Sequence, residues 1–271
     1  MTIMNIMENI KILRDKTGAG MVDCKKALDE SGGDINKAVE ILRKKGIAKA
    51  AKRSDREAGE GVVKVALSSD AKIGYIVQIN AETDFVVLSE KFQSFAEKIT
   101  RLIMEKQPKD LVELMALNIE GVTVKENLDS LSGIIGEKLD IKKYGLLKSA
   151  GTVAVYSHLA GRIGVLVALD KEGQSDIAYD IAMQIAATNP KYINPEDVAA
   201  AELEKEKEIY KVQLLKEGKP ENMIDKIMQG KLAKFYEEVC LTKQEYIKDD
   251  SKKVEDLLGD VKVEKFIRYS L

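Results

Sequence analysis

Side chains able to perform covalent or metal chemistry are few in this sequence and lie far apart. His158 is the only histidine, which excludes most zinc sites and metalloprotease motifs. Cys24 and Cys240 are the only cysteines; they are not in metal-ligand spacing, and neither has an evident activating group. Cys24 lies on the apolar stripe of a short predicted helix, as a buried inert thiol would. We therefore expect no catalytic residue, no metal ligand and no cofactor.

Gly18 and Gly20 form a glycine pair of the kind found in nucleotide-binding loops. A phosphate-binding loop, however, follows a strand and continues into Gly-Lys-Ser/Thr, and a dinucleotide-binding loop needs a third glycine in a βαβ unit. Helical patterns flank this pair, which indicates a turn between two helices. A small-molecule enzyme built on this loop is an alternative, and the absence of nucleotide from the isolated protein would count against it.

Residues 80–87, Asn-Ala-Glu-Thr-Asp-Phe-Val-Val, connect a predicted strand to a predicted helix. In a structural interpretation, Thr83 or Asp84 caps the helix and Phe85 packs into the local core. In a functional interpretation, the corner presents Phe85 and a carboxylate outward, because an exposed phenyl ring is a good anchor for another protein. Spacing alone favours the structural interpretation.

Charge limits the classes of partner. The chain has 43 Lys and Arg against 45 Asp and Glu, so its net charge of −2 gives no global case for binding nucleic acid or membranes. Residues 1–53 differ, with twelve basic against seven acidic side chains. This excess suits either an ordinary solvated helical surface or a ribosome- or RNA-binding accessory protein. Strong salt dependence of RNA binding would favour the second alternative.

Length and apolar patterning indicate more than one domain and no membrane segment. The 271 residues suggest two domains, or one large domain with appendages. Residues 1–16 lack the apolar stretch of a signal peptide, and no run of about 18 apolar residues is present to span a bilayer. Two distant cysteines fit a reducing compartment. We expect a soluble, cytoplasmic protein.

The first fifty residues carry three apolar stripes at helical spacing, which predict a small three-helix bundle. The stripes are Ile6, Ile10 and Leu13; Met21, Cys24, Ala27 and Leu28; and Ile35, Ala38, Val39 and Leu42. We expect Asp34 to cap the third helix and Gly46 to end it. Residues 47–59 are polar and are predicted to form a linker.

An internal repeat with an offset of 90 residues organises the middle of the chain. Residues 61–65 match 151–155, and residues 72–79 match 162–169. Alternating apolar side chains predict a β-hairpin in each copy, followed by a helix. The fold class is therefore α+β, with two related lobes that each combine a small antiparallel sheet with helices.

The two lobes are predicted to differ after their hairpins. The first continues through a helical stretch, 109–139, to about residue 144. In the second, residues 195–239 form two helices around Gly218-Lys219-Pro220, and the charged first helix favours a projecting hairpin. We expect the sheet to resume at 245–247 and 265–269, with Ser251 capping a helix between them.

These patterns divide the chain into four parts. The predicted boundaries are 1–54 for the three-helix module and linker, 55–144 for the first lobe, 145–193 with 231–271 for the second lobe, and 194–230 for the helical insertion.

Motifs in register along nearly the whole chain resemble the elongation factor Ts family. They lie at residues 13–14, 17–28, 83–86, 156–158, 161–167, 191–198 and 266–269. The resemblance implies a ubiquitin-associated-like (UBA-like) N-terminal module, two related core lobes, a projecting helical hairpin and a C-terminal module. It also implies a guanine-nucleotide exchange factor, not an enzyme, which binds elongation factor Tu carrying GDP. The factor would displace Mg²⁺ and promote GDP release so that GTP can bind.

By the same resemblance, individual residues acquire roles toward this partner. The segment that dislodges the partner's magnesium ion would consist of Thr83, Asp84, Phe85 and Val86. Arg14 and Met21 would add affinity on the GTPase domain. His158 either contacts another partner domain or is an ordinary surface residue. No direct nucleotide binding is expected.

Several positions depart from the family pattern. Ala81 replaces the usual Cys or Ser, and Glu245 stands where proline is common. Val87 and Leu88 replace a small-then-basic pair, which reduces the charge beside Phe85. The chain stops at Leu271 without most of the family's C-terminal module, so contacts made by that module are not expected. The helical hairpin either mediates a homodimer, as in some members of the family, or stands in solvent.

Overall fold

The computed structural model describes residues 3–119, 121–218 and 220–271 and combines helices with small antiparallel sheets, so the predicted α+β class is confirmed. The N-terminal helices are α1 (Ile3–Thr17), α2 (Met21–Glu30) and α3 (Ile35–Ala51). Their shared core contains Leu13, Cys24, Leu28 and Ala38. Asp34 caps α3 as predicted, because its carboxylate accepts the backbone N–H groups of residues 36 and 37 at 2.9 and 3.1 Å.

The first lobe is built on a three-stranded antiparallel sheet in the order β1-β2-β5. Its elements are β1 (Glu60–Leu67), β2 (Ile73–Ala81), α4 (Asp84–Val87), α5 (Glu90–Lys106), α6 (Leu111–Ala116), β3 (Asn118–Ile119), β4 (Val122–Thr123), α7 (Val124–Ile135) and β5 (Leu139–Lys148). The predicted hairpin is β1–β2, and α5 packs its apolar stripe, including Phe92, Phe95 and Ile99, into the core beside Tyr75 and Val77.

The prediction of one helical stretch over 109–139 is wrong in two respects. The small β3–β4 hairpin separates α6 from α7, and β5 continues the sheet through Lys148. A register shift opposite Gln78 and Ile79 interrupts the pairing of β2 with β5. That irregularity, together with exposed Lys142 and Lys143, removes the clean alternation by which β5 would have been recognised.

Gly46 does not end α3, contrary to the sequence prediction. The helix continues to Ala51, so the first residues of the predicted linker are helical. Gly46 is buried against α7, where a Cβ atom added to Gly133 would lie 2.3 Å from the Gly46 Cα. The glycine therefore permits two helix backbones to touch, and its missing side chain serves packing instead of helix termination.

The second lobe also has a three-stranded antiparallel sheet, in the order β10-β7-β6. Its elements are β6 (Thr152–His158), β7 (Ile163–Leu169), α8 (Ser175–Thr188), α9 (Ala200–Lys216), α10 (Glu221–Val239), β8 (Glu245–Tyr246), β9 (Asp249–Lys253), α11 (Val254–Leu258) and β10 (Val263–Ser270). Its core contains residues that precede α9 in the sequence, such as Ile181 and Ile185, and residues that follow α10, such as Leu241 and Leu258.

Two details of the second lobe differ from the sequence prediction. Residues 245–246 pair with β9 in a separate two-stranded sheet, whereas β10 alone returns to the main sheet. Ser251 lies within β9, and Lys253 occupies the N-cap of α11. The Asp249 carboxylate accepts the Ser251 hydroxyl at 2.6 Å, so this serine forms a hydrogen bond within β9 and does not cap a helix.

Helices α9 and α10 contact each other and enclose Leu214 and Ile224 near their connection. Lys219 of the predicted turn lies outside the described residues. At the base, the N–H groups of Lys191 and Tyr192 donate to the carbonyl of Val239, which holds the two ends of the insertion together. No helix in the described ranges is long and apolar enough to cross a membrane.

The two main sheets pack face to face between the lobes. The contact contains Val63, Ile76 and Leu147 from the first sheet and Val153, Leu166 and Ala168 from the second. A Cβ added to Gly74 would meet Val153 at 3.0 Å, and one added to Gly164 would meet Val63 at 2.5 Å. Because both pairs obey the 90-residue offset, the repeat seen in the sequence is also a symmetry of the packing.

Candidate functional site

The corner between β2 and α4 contains residues 82–89. Thr83 has an extended backbone, with φ −129° and ψ 154°, and its Oγ1 accepts the N–H of Val86 at 3.4 Å. Thr83, not Asp84, is therefore the N-cap residue. The exposed Asp84 begins the single helical turn, where a carboxylate complements the free N–H groups of the helix start.

Phe85 points away from the core. Its side chain is 82% exposed, and Leu88, three residues later on the same face of the turn, is 78% exposed. Val86 and Val87 pack instead against the core of the first lobe. The structural interpretation, in which Phe85 fills that core, is therefore wrong, and the corner exposes an apolar ridge of two large side chains.

Two glutamates join this corner to the segment between α7 and β5: Glu137 of that segment and Glu82 of the corner itself. The Glu137 carboxylate accepts the Thr83 N–H at 3.0 Å and the Thr83 hydroxyl at 2.8 Å. The Glu82 carboxylate accepts the N–H of Lys138 at 2.6 Å, and Arg56 lies 3.3 Å from it. The Lys138 N–H, with a smaller contribution from Arg56, holds the pKa of Glu82 below its ordinary value.

The N-terminal helices place Arg14 and Met21 on the surface near this corner. Arg14 is exposed on α1, and Met21 is 58% exposed at the start of α2. The ammonium group of Lys91, in the first turn of α5, donates to the carbonyl of Gly18 at 2.7 Å. Because Gly18 precedes Met21 by three residues, this bond brings the α1–α2 turn beside the helix that follows Phe85.

His158 lies apart from these residues, at the exposed end of β6 in the second lobe. Its Nδ1 is 3.0 Å from the hydroxyl oxygen of Tyr156, and the two rings stack at 5.8 Å. Tyr179 meets Tyr156 edge-on at 5.5 Å. The structure therefore joins His158 to an aromatic cluster and, among the described contacts, not to residues 83–86.

The remaining candidates for chemistry have structural roles. Gly18, at φ +67°, and Gly20 lie in the turn from α1 to α2, so the predicted helix–helix turn is confirmed. Burial raises the pKa of Cys24, and it raises that of Cys240 to about 11, which disfavours a thiolate at neutral pH.

The basic N-terminal residues are partly neutralised by neighbouring acids. Lys45 pairs with Glu30 at 2.6 Å and Lys49 with Asp23 at 3.1 Å. Arg43 reaches Glu126 of α7 at 2.9 Å. Glu30 and Asp23 are already counted among the seven acids of residues 1–53, so only Glu126 reduces the excess positive charge on which the RNA-binding alternative depends.

Sequence reasoning did not find Glu137, Lys138 or the exposure of Leu88. The contact from Glu137 to Thr83 joins residues 54 positions apart, and no motif connects them. For Leu88 the sequence did contain a signal. This large apolar residue stands beside a capped single turn, at a position where the family pattern has a basic residue.

Comparisons with known proteins give a consistent result along the chain. The sequence model of a family described as "Elongation factor TS" matches residues 82–271. A protein from Chlorobaculum tepidum called "Elongation factor Ts" is 44% identical over 280 residues, covering 97% of this chain and 97% of its own length. Proteins of the same name from Clostridium perfringens (44% over 274 residues; 96% and 90% covered) and Nitratiruptor sp. (45% over 278 residues; 97% and 91% covered) are similarly related.

Proposed function

This chain belongs to the elongation factor Ts family, and on that premise we propose that it is a guanine-nucleotide exchange factor. It binds elongation factor Tu carrying GDP, displaces Mg²⁺ and promotes GDP release so that GTP can bind. It does this without an enzymatic active site or a cofactor of its own. The observation that carries the proposal is the outward position of Phe85 on the capped corner, at 82% exposure.

The mechanism is a difference in binding free energy. A GTPase holds GDP largely through Mg²⁺ and the groups around the phosphates. A protein that binds the open, Mg²⁺-free state more tightly weakens GDP binding by the same factor. Each tenfold loss of GDP affinity requires about 1.4 kcal/mol of such preference. Phe85 supplies an apolar wedge and Asp84 a charge that competes near the magnesium ion, while Thr83 and Val86 hold the turn from which both project.

We expect Phe85→Ala to slow stimulated GDP release. A desolvated aromatic anchor is worth about 2 kcal/mol or more, so the rate should fall by roughly 30-fold. The measurement is release of labelled GDP from elongation factor Tu at saturating concentrations of the chain. Val112→Ala is the matched control, because Val112 is 78% exposed on α6.

Two outcomes would contradict the proposal at different levels. Folded wild-type chain that leaves GDP release unchanged would overturn the exchange function. Stimulation that is equal in wild type and Phe85→Ala would overturn only the assignment of the wedge. Arg14, Met21 and His158 are proposed as affinity contacts, so their loss should raise the half-saturating concentration and leave the maximal rate unchanged.

The finer architecture remains part of the proposal. We infer a UBA-like arrangement for the N-terminal helices and a projecting hairpin over residues 194–230. We keep the predicted domain boundaries as part of the proposal, although the boundary between residues 144 and 145 falls inside β5 and residue 231 falls inside α10. Exposed Ile209, Val212 and Leu215 on α9 support a homodimer through this hairpin.

A further inference from the structure

The corner that carries Phe85 is clamped by a reciprocal exchange of hydrogen bonds. Glu137 accepts the N–H of Thr83, and Glu82, the neighbour of Thr83, accepts the N–H of Lys138, the neighbour of Glu137. Each segment therefore uses its acidic side chain to bind the backbone of the other. Such charge-assisted bonds are shorter and stronger than neutral ones.

The Glu137 carboxylate also sets the direction of the Thr83 hydroxyl. That hydroxyl donates its proton to Glu137 at 2.8 Å, which leaves a lone pair of the same oxygen for the N–H of Val86. A hydroxyl has a single proton, so donation to Glu137 keeps it in the accepting role that an N-cap requires. The cap of α4 thus depends on a residue in another segment.

Helix α4 is held at its C-terminal end, where Val86 and Val87 pack on the core and their carbonyls accept hydrogen bonds from Ser89 and Gln93, whereas its N-terminal end rests on the Thr83 cap. It contains four residues, none of them fully buried, and a single helical turn is not stable by itself. Glu137, by contrast, stands on a fixed support, because the buried Ser132 donates its hydroxyl to the Glu137 carbonyl at 2.6 Å. Helix α7 thus supports Glu137, Glu137 orients the Thr83 hydroxyl, and Thr83 caps the turn that carries Phe85.

We propose that Glu137 is a positioning residue for nucleotide exchange, acting through Thr83 to fix the direction in which Phe85 leaves the surface. This inference rests on the proposed function. Glu137 is half-buried beside Thr83, and its proposed action is through Thr83 and not through a contact with the partner. Its removal changes how often the ring stands in the productive orientation, so the contact that promotes exchange is weakened while the affinity contacts elsewhere on the surface are kept.

The test is a double-mutant cycle between Glu137→Ala and Phe85→Ala, measured by stimulated GDP release. Glu137→Ala should lower the maximal rate by about tenfold, and the half-saturating concentration should change much less. In the Phe85→Ala background the same substitution should have a much smaller effect, because only Asp84 is then left on the turn for Glu137 to position. Glu105→Ala, at an exposed carboxylate of α5 in the same lobe, is the control.

Defined results would overturn the inference. One is a maximal rate of GDP release in Glu137→Ala equal to that of wild type. The other is a double variant whose loss of rate equals the product of the two single losses. Should Glu137→Ala not fold, Glu137→Gln carries the test, because its amide keeps the size of the side chain but replaces one of the two accepting oxygens by an NH2 group, which cannot accept from Thr83.

A measurement without the partner separates this inference from the proposed function. Hydrogen exchange at the N–H of Val86 should be faster in Glu137→Ala than in wild type. Unchanged exchange there refutes the clamp, whatever the release assay gives. Failure of wild type to stimulate release, with faster exchange in the variant, refutes the function and leaves the clamp standing.

Discussion

At the scale of single residues, Phe85 is held outward by the backbone around it and not by contacts of its own ring. An exposed phenyl ring gains little stabilisation from burial in the free protein, so its position is maintained by Thr83, Glu82 and Glu137. Glu82 is the member of this group whose titration can be followed. Its side chain is 21% exposed, and the Lys138 N–H lowers its pKa from the ordinary value of 4.5.

The lowered pKa predicts a pH-dependent contribution of Glu82 to stability. Because the folded pKa lies below the unfolded one, the contribution is present above about 4.5 and is lost as the pH falls through the folded value. Glu82→Gln should therefore be less stable than wild type at pH 7, and the difference should shrink toward pH 3. Urea unfolding midpoints at both pH values test this, and a difference that stays constant with pH contradicts it.

At the scale of elements, α3 and α7 are in contact through their backbones. Gly46 and Gly133 provide the close approach, and the salt bridge from Arg43 to Glu126 lies along the same pair of helices. This contact fixes the N-terminal helices on the first lobe. The same α7 supports Glu137. One helix therefore holds both the N-terminal helices, which carry Met21, and the corner that carries Phe85.

We expect Gly133→Ala to destabilise the protein although alanine is the better helix former. The added methyl group would meet the backbone of Gly46 at 2.3 Å, and overpacking of this kind costs about 1–3 kcal/mol. The matched control is Gly230→Ala in α10, where an added Cβ meets nothing within 4 Å and should stabilise by about 0.5–1 kcal/mol. Urea unfolding measures both, and equal effects of the two substitutions would contradict the packing argument.

The sequence was most informative where a regular pattern met no competing tertiary demand. The cap at Asp34, the turn at Gly18 and the two repeated hairpins follow from local rules that the structure obeys. Gly46 misled because glycine ends helices but also permits close helix contact, and only the position of α7 distinguishes the two. The Glu137 clamp could not be predicted, since it depends on a meeting of segments 54 residues apart.

At the scale of the whole molecule, the second lobe is formed by two parts of the chain that the helical insertion separates in sequence. Its core comes from residues on both sides of α9 and α10, and the parallel bridge between Tyr192 and Cys240 joins the two ends. Among the side chains that the structure describes, the outer part of the insertion contributes none to that core.

Replacing residues 213–229 by a short glycine-containing turn should therefore leave both lobes folded, with a similar thermal midpoint. The same variant tests the proposed homodimer, because the loss of Leu215 removes part of the exposed apolar surface of α9. Sedimentation analysis should find a dimer for the full chain and weaker self-association for the shortened one, which keeps Ile209 and Val212. A monomer in both cases would refute self-association, and an unfolded second lobe would refute independence from the insertion.

The reciprocal packing of Gly74 on Val153 and Gly164 on Val63 has the geometry of an isologous dimer fused into a single chain. Fusion keeps the two halves together at any dilution and frees them from the need to remain identical. Between its second strand and its long helix the first copy has eight residues, 82–89, and the second only five, 170–174. Two identical lobes would carry the protruding aromatic corner twice; this pseudo-dimer carries it once.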